Sequence, residues 1–208
     1  MIADPCAPRV RFREIAADDA DLVVRWRNSA SAREVFYSQS IVTPDTHRAF
    51  VAARKPHDLI WIVEVAAPSV VRIGTLSLTV DPESRTGEYG RAFLDESCRG
   101  RGLWREIEAL LEHYAFAVLG LREIWLDIIA ANQRMIDIHL RGGWVVRREV
   151  HHHGQAGLLM VLDAAAYRAK VETPRAAPSP AQDVPPVSAT ALLHRAVATA
   201  PDRDAWDA

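Results

Sequence analysis

Apolar residues recur along this chain at two periods, and the period changes mark the elements. Alternation in RVRFREI (9–15), with Val10 and Phe12 on one side, predicts a first strand. AADDADLVVRWRN then predicts a helix running to about Asn28, with Asp18 or Asp19 placed to cap it. TPDTHRAFVAAR (43–54) predicts a second helix, with Thr43 as N-cap, Pro44 at the first helical position and Asp45 in the first turn. DLIWIVEVA (58–66) and VVRIGTLSLTV (70–80) are β-rich runs joined by a short APS connection, the pattern of a hairpin. After a DPES turn (81–84), TGEYGRAFL (86–94) reads as a strand with Glu88, Gly90, Ala92 and Leu94 on one face.

From Leu103 the period becomes helical. Leu103, Ile107, Leu110, Leu111, Tyr114 and Val118 form one stripe, and Gly120 ends it. REIWLDIIA (122–130) predicts a buried strand, and NQRMIDIHLR (132–141) a helix stopped by Gly142 and Gly143. On that helix Asp137 and Arg141 stand four apart, the spacing of an outward ion pair. WVVRREVHHH (144–153) and LLMVLD (158–163) are strands across a turn at Gly154 and Gly157, and DAAAYRAKV closes the unit as a short helix. The predicted domain spans 8–172. Residues 173–208 are a Pro/Ala/Ser-rich flexible linker and tail, in which Leu192, Leu193 and Val197 fit either a short helix or a disordered end.

A chain of 208 residues holds one domain with an appendage, and a formal net charge of −2 supplies no general field for nucleic acid or acidic membrane. Two cysteines, Cys6 and Cys98, do not make a disulfide framework and fit a reducing compartment. The sequence shows no leader pattern and no apolar run of membrane-spanning length. The expected protein is therefore cytoplasmic, without a nucleic-acid or membrane partner.

The candidate chemistry starts at SCRGRGLWRE (97–106), where Gly100 and Gly102 lie between a strand and an amphipathic helix. The first turn of a helix has free N–H groups and a partial positive charge, and glycine lets a phosphate approach them. Arg99 and Arg101 add charge, so the stretch is a plausible pyrophosphate seat, while a plain structural turn explains the same residues. It is not a G-x-x-x-x-G-K-[ST] loop, and Glu106 and Ile107 fall where a G-x-G-x-x-G fingerprint needs its third glycine.

RGRGLW resembles the Q/R-x-x-G-x-G/A signature of the GNAT N-acetyltransferases. GEYGRAFL is similar to that family's fourth strand, IIAANQRMIDIHLRGGW to its strand, Asn, helix, Gly, aromatic segment, and RREVHHHGQAGLLMVL to its closing hairpin. The order of these segments over about 9–165 carries the resemblance more than any one of them. RWRN (25–28) brings it closer to RimJ/RimL-like members and to PseH-like members, which acetylate an amino sugar on a nucleotide. The implied fold is α/β: a mixed, mostly antiparallel central sheet flanked by helices, as one domain. The implied co-substrate is acetyl-CoA, its pyrophosphate on the amides around Arg99, Gly100, Arg101, Gly102, Leu103 and Trp104. Trp104 departs from the family's usual Gly or Ala. The resemblance further implies that Ala92, Phe93 and Leu94 offer main-chain groups to the pantetheine arm, and that Asn132 touches it.

Acetyl transfer to an amine needs a base, donors for the developing oxyanion and a proton for the departing sulfur. Glu88 is the candidate base, a lone carboxylate on the strand that leads to the glycine loop, though a solvent-facing role explains it too. His139 lies seven residues after Asn132, about two turns, and so on the same helix face. The resemblance makes it the thiol acid, where the family commonly has Tyr and some members have His; a half-buried helix histidine is the plainer alternative. Arg27 and Asn28 are candidate acceptor ligands, against a helix-dipole role for the arginine. His47 and Phe50 are weaker pocket candidates. In HHH (151–153) only His151 and His153 share a strand face, too few ligands for a metal, so no metal is expected and His151 is taken to border the acceptor.

These residues point to an acetyl-CoA-dependent N-acetyltransferase acting on a primary amine of a small molecule, with an amino sugar, free or nucleotide-linked, preferred. A protein N-terminus, an amine antibiotic or a non-catalytic acyl-CoA-binding module are the alternatives, and a homodimer is an open assembly.

Overall fold

The computed structural model describes residues 9–66 and 69–172, so the expectations for Cys6, the tip of the first hairpin and the tail after 172 lie outside the described residues. Seven strands form one sheet: β1 (Val10–Glu14), β2 (Asp58–Ala66), β3 (Val70–Asp81), β4 (Thr86–Leu94), β5 (Glu123–Ile129), β6 (Val145–His152) and β7 (Gln155–Asp163), in the order β1-β2-β3-β4-β5-β7-β6. Every neighbour pair is antiparallel except β4 with β5. Helices α1 (Ala20–Arg27), α2 (Ala30–Arg33), α3 (Pro44–Ala52), α4 (Leu103–His113), α5 (Gln133–Arg141) and α6 (Ala164–Glu172) flank it.

The two sheet faces carry separate cores. On one, Val10, Phe12, Trp61, Leu76, Leu78 and Tyr89 pack with Leu103, Ile107, Leu110 and Leu111 of α4. On the other, Ile60, Ile62 and Phe93 pack with Val23 and Trp26 of α1, and Phe50 of α3 leans on this smaller core. Burying each such large side chain is worth about 1.5–3 kcal/mol, enough to settle which face each strand presents.

Thr43 caps α3 as its sequence suggested: its hydroxyl accepts from the Thr46 N–H at 3.2 Å. Asp19 takes the N-cap position of α1, but its side chain makes no capping bond. It is buried, accepts the Ala16 N–H at 2.9 Å and meets the Arg13 and Arg72 guanidinium groups at 2.7 and 3.3 Å. A buried carboxylate with two available arginines gains more from charge pairing than from a helix end. The stripe that opens at Leu103 stays α-helical only to His113, and Tyr114–Val118 widens into a π turn. The wider turn rotates Val118 out of the stripe, and it is exposed rather than buried. The expected ion pair on α5 does not form either. Asp137 instead accepts from Gln133 at 2.8 Å, and among the described residues Arg141 makes no ion pair. No helix among the described residues is long and apolar enough to cross a membrane.

Candidate active site

The parallel junction makes the site. β4 and β5 pair only at Thr86↔Glu123, Gly87↔Ile124 and Glu88↔Trp125. Beyond that point β4 stays with β3, and β5 with β7 from Leu126↔Met160 to Ile129↔Gly157. The strands part like a wedge, so main-chain groups of β4 after Glu88 have no ladder partner on the β5 side. A cavity of about 2800 Å³ runs through the wedge, lined by residues from both sheet faces. A single small-ligand pocket holds roughly 300–1,000 Å³, so this one has room for two substrates.

Glu88 sits at the last paired position and lines the cavity, half-buried, with Trp125 beside it on β5. Next comes a bulge: β3 advances from Thr75 to Ser77 while β4 advances from Phe93 to Gly90. Arg91 takes a left-handed φ of 49° there, and its carbonyl accepts from the Thr75 hydroxyl at 3.0 Å. The extra residue reverses the alternation. Tyr89 before it and Leu94 after it therefore face the same large core, while Phe93 faces the smaller one. Glu88 and Leu94 thus lie on opposite faces, which corrects the single face expected from unbroken alternation. Arg91 donates to the Ser77 hydroxyl at 3.1 Å and lies 5.4 Å over the Phe50 ring. Burial draws its pKa down, against the pull of Glu88 and Asp58.

After β4, Asp95 accepts the Ser97 N–H at 2.9 Å and the Trp26 indole N–H at 2.8 Å, holding a 3₁₀ turn over Glu96–Cys98. Gly100 and Gly102 follow with φ of 76° and 75°, and Gly102 is the N-cap of α4. Both need the left-handed region, which glycine enters at little cost. A Cβ added at Gly100 would meet nothing within 4 Å, and one at Gly102 only the end of the Arg9 guanidinium at 3.9 Å, so the loop before α4 is open. The arginines of the motif are not poised over that space. Arg99 donates to the Leu94 carbonyl at 3.1 Å and to the Ser31 hydroxyl at 3.1 Å, and stacks 5.5 Å from Phe93. Arg101 is exposed, and its carbonyl accepts from Arg9, which also grips Glu106. Leu103 is buried, and the half-buried Trp104 packs its indole on the large core, with Nε1 buried and unpartnered among the described residues. The loop amides, Ala92 and Phe93 on the open strand edge, and Trp104 together offer donors along one path. That donor set fits a diphosphate and its amide-bearing arm.

Asn132 precedes α5 with its side chain free of any capping bond, and both it and His139 line the cavity. His139 is 2% exposed. Its ring sits 6.1 Å from Tyr89 and 5.2 Å from Trp144, and Nδ1 lies 2.7 Å from Glu108 Oε1, a close approach without hydrogen-bond alignment.

On the acceptor side Arg27 lines the cavity, donating to the Ser38 carbonyl at 2.8 Å over the Phe36 ring. Asn28 does not line it. Its amide donates to the Val42 carbonyl at 2.8 Å and accepts the Val42 N–H at 3.0 Å, pinning the loop before α3. His47 and Phe50 do line the cavity, with rings 6.2 Å apart, and burial lowers the His47 pKa. The histidine run corrects its expectation. A bulge between Val146 and Arg148 sets the register so that Val150 is buried against Trp125, Leu159 and Val161, and His152 follows on that side. His152 reaches Asp127 at 2.9 Å and meets the Tyr37 ring edge-on at 4.9 Å, whereas His151 is exposed and outside the cavity lining. Among the described residues no three His, Cys, Asp or Glu side chains converge as a metal group.

Sequence patterns did not point to Arg91, Tyr37, Trp125, Asp127 or His152, because long-range pairing assembles them. Tyr37 lies in a motif-free loop, fills the space a side chain at Gly157 would need, and has its pKa pushed up to about 12 by burial and by Asp127. Glu108 and Glu112 did carry a signal: two acidic residues four apart beside an apolar stripe.

The sheet thus splits after one short parallel junction, with a glycine-opened helix start below the split. The family model for the acetyltransferase (GNAT) domain matches residues 9–145, and the chain belongs to the GNAT acetyltransferase family. It is an N-acetyltransferase that uses acetyl-CoA. Solved structures agree in fold. Spermidine N-acetyltransferase from Vibrio cholerae, in complex with CoA and spermine, superposes with a TM-score of 0.69 at 16% identity, over 77% of this chain and 98% of that one. The same enzyme's dodecameric structure gives 0.65 at 16%, over 78% and 98%. A domain from Methanocaldococcus jannaschii gives 0.65 at 16%, over 74% and 97%. No curated protein matches the chain by sequence.

Proposed function

We propose that the protein acetylates a primary amine of a small molecule, seated on the Glu88 side of the wedge. The observation that carries this is the position of Glu88: a carboxylate at the last β4–β5 pair, lining the cavity where the β4 edge becomes free. Acetyl-CoA supplies an activated acyl group. Amides at Gly100, Gly102, Leu103 and Trp104 hold its diphosphate, and main-chain groups of Ala92 and Phe93, with Asn132, hold its arm. The Leu94 carbonyl is already engaged by Arg99, so Leu94 contributes through its backbone shape.

Glu88 takes the proton of the acceptor ammonium, directly or through one water, leaving a neutral nitrogen to attack. A β4 amide donates to the carbonyl oxygen as charge develops there. The new C–N bond replaces the C–S bond, and the second proton of the acceptor nitrogen passes through His139 to the departing sulfur.

An amino sugar, nucleotide-linked, is the acceptor that the walls support best. Phe36, Tyr37, Phe50 and Trp125 offer rings for a sugar or base to stack on, and Arg27 and Arg91 stand among them. A second reading, a polyamine, is favoured by Asp127. It lies two positions beyond Trp125, with Oδ1 buried and unpartnered among the described residues. Thiol release from acetyl-CoA, measured over nucleotide-linked amino sugars, spermidine and short peptides, decides between them. Glu88→Gln is expected to lower kcat by roughly 100-fold or more on the preferred amine, the scale of a lost general base. Unchanged turnover in that variant would remove Glu88 from the mechanism.

A further inference from the structure

Two buried carboxylates on α4, Glu108 and Glu112, are not accounted for by cofactor or acceptor binding. Buried carboxylates are costly unless paired. Glu112 has its partner: Lys170 of α6 donates to both of its oxygens, at 2.9 and 2.8 Å. Glu108, one turn earlier, has no lysine or arginine within ion-pair distance among the described residues. Its close neighbour is His139 Nδ1 at 2.7 Å.

The imidazole is enclosed. Tyr89 from β4 and Trp144 after α5 meet it edge-on, and Tyr89 presents a buried, unpartnered hydroxyl to the same space. With Nδ1 buried against Glu108, Nε2 is the ring nitrogen left for the cavity that His139 lines. A neutral imidazole carries its proton on one nitrogen or the other, and an acceptor at Nδ1 selects which. Under the proposed seating of acetyl-CoA, its sulfur would fall between the β4 edge and α5, the two elements that bracket this ring.

We infer that Glu108 is a positioning residue: its carboxylate, 2.7 Å from Nδ1 of His139, comes into line to accept Nδ1–H when the bound arm seats the ring, fixing it so that Nε2 addresses the sulfur of the departing thiol. The inference rests on the reading of His139 as the thiol acid and adds the group that orients it. Nε2, left unprotonated by this choice, takes the proton that the acceptor nitrogen sheds after attack and passes it to sulfur. Nδ1–H stays with Glu108 throughout, so no further proton donor is needed.

The test separates an acceptor at position 108 from a merely packed side chain. Glu108→Gln keeps an oxygen that Nδ1–H can use, whereas Glu108→Met keeps the volume and removes it. Glu108→Met is expected to lower kcat roughly tenfold or more while KM for acetyl-CoA stays within about twofold, since misorienting a catalytic group costs turnover and not binding. Glu108→Gln is expected to retain most of kcat. Imidazole ¹⁵N shifts of the histidine-labelled protein, with His139 assigned by its loss in His139→Phe, should show Nδ1 protonated in the wild type and in Glu108→Gln. Wild-type kcat in Glu108→Met, or an equal fall in both variants, would overturn the inference. So would an unprotonated Nδ1 in the wild type, a result that stands even if Glu108→Met fails to fold. Unimpaired turnover in His139→Phe would remove the acid role itself. Impaired His139→Phe beside unimpaired Glu108→Met would remove only the role of Glu108.

Discussion

Replacing Gly100 by alanine tests the diphosphate seat with a predictable cost on each side. At φ 76° an alanine is strained, but its methyl would meet no atom of the protein within 4 Å. The fold therefore bears only the left-handed penalty, about 1 kcal/mol, which lowers Tm by about 2–4 °C in a domain of this size. Binding of CoA should suffer more. Under the proposed seat the methyl competes with the diphosphate for the space beside the loop, and losing one hydrogen bond to a charged group costs about 1.5–3 kcal/mol. That corresponds to a Kd roughly 10- to 100-fold weaker. Calorimetric titration with CoA reads the affinity, and thermal unfolding without ligand reads the fold. Gly154→Ala is the matched control: φ is 75°, nothing lies within 4 Å, and the residue sits in the β6–β7 turn. It should lose the same stability and leave CoA binding unchanged. CoA bound equally by wild type and Gly100→Ala would refute the assignment of the loop, as would an equal loss in Gly154→Ala.

Two further predictions concern buried carboxylates and pH, read by denaturant unfolding. Burial alone would raise the Asp19 pKa, but Arg13, the Ala16 N–H and Arg72 outweigh it and hold it below the usual carboxylate range. Its stabilising contribution is therefore present at neutral pH and lost as pH falls through the folded value. Asp19→Asn should cost about 1–3 kcal/mol at pH 7 and progressively less as pH falls below the ordinary carboxylate range, and a cost that does not shrink on acidification would contradict the pairing. Glu112 has the opposite sign. Burial raises its pKa despite Lys170, so its contribution is present at acid pH and lost as pH rises through the folded value. Glu112→Gln should compare less well with wild type at about pH 4.5 than at about pH 8; a deficit that grows with pH would show that the lysine pair dominates.

Much of the architecture was legible because it is written in local chemistry. The cap at Thr43 and Pro44, the apolar stripe of α4 and the stop at Gly142 and Gly143 depend on residues within a few positions of each other. The glycine loop was legible for the same reason, since two left-handed positions before an amphipathic stripe require glycine whatever packs around them. Asp19 stands at the cap position but turns its carboxylate away from the helix, because the sheet brings Arg13 and the distant Arg72 to it. Val118 was misjudged because its helix changes pitch after His113.

The candidate site divides along the same line. Sequence by itself determined that a carboxylate, Glu88, precedes a loop of free amides, and that Asn132 and His139 share a helix face. These follow from periodicity and from backbone conformations that few residues adopt. Only the tertiary structure decided that the bulge at Arg91 reverses the faces of β4, that β4 and β5 part after Glu88, that His152 rather than His151 turns toward the cavity, and that Glu108 meets His139. Register and bulges arise where distant strands must bury their apolar faces together, and a one-residue shift there moves every later side chain to the other side. No short stretch of the chain contains that constraint.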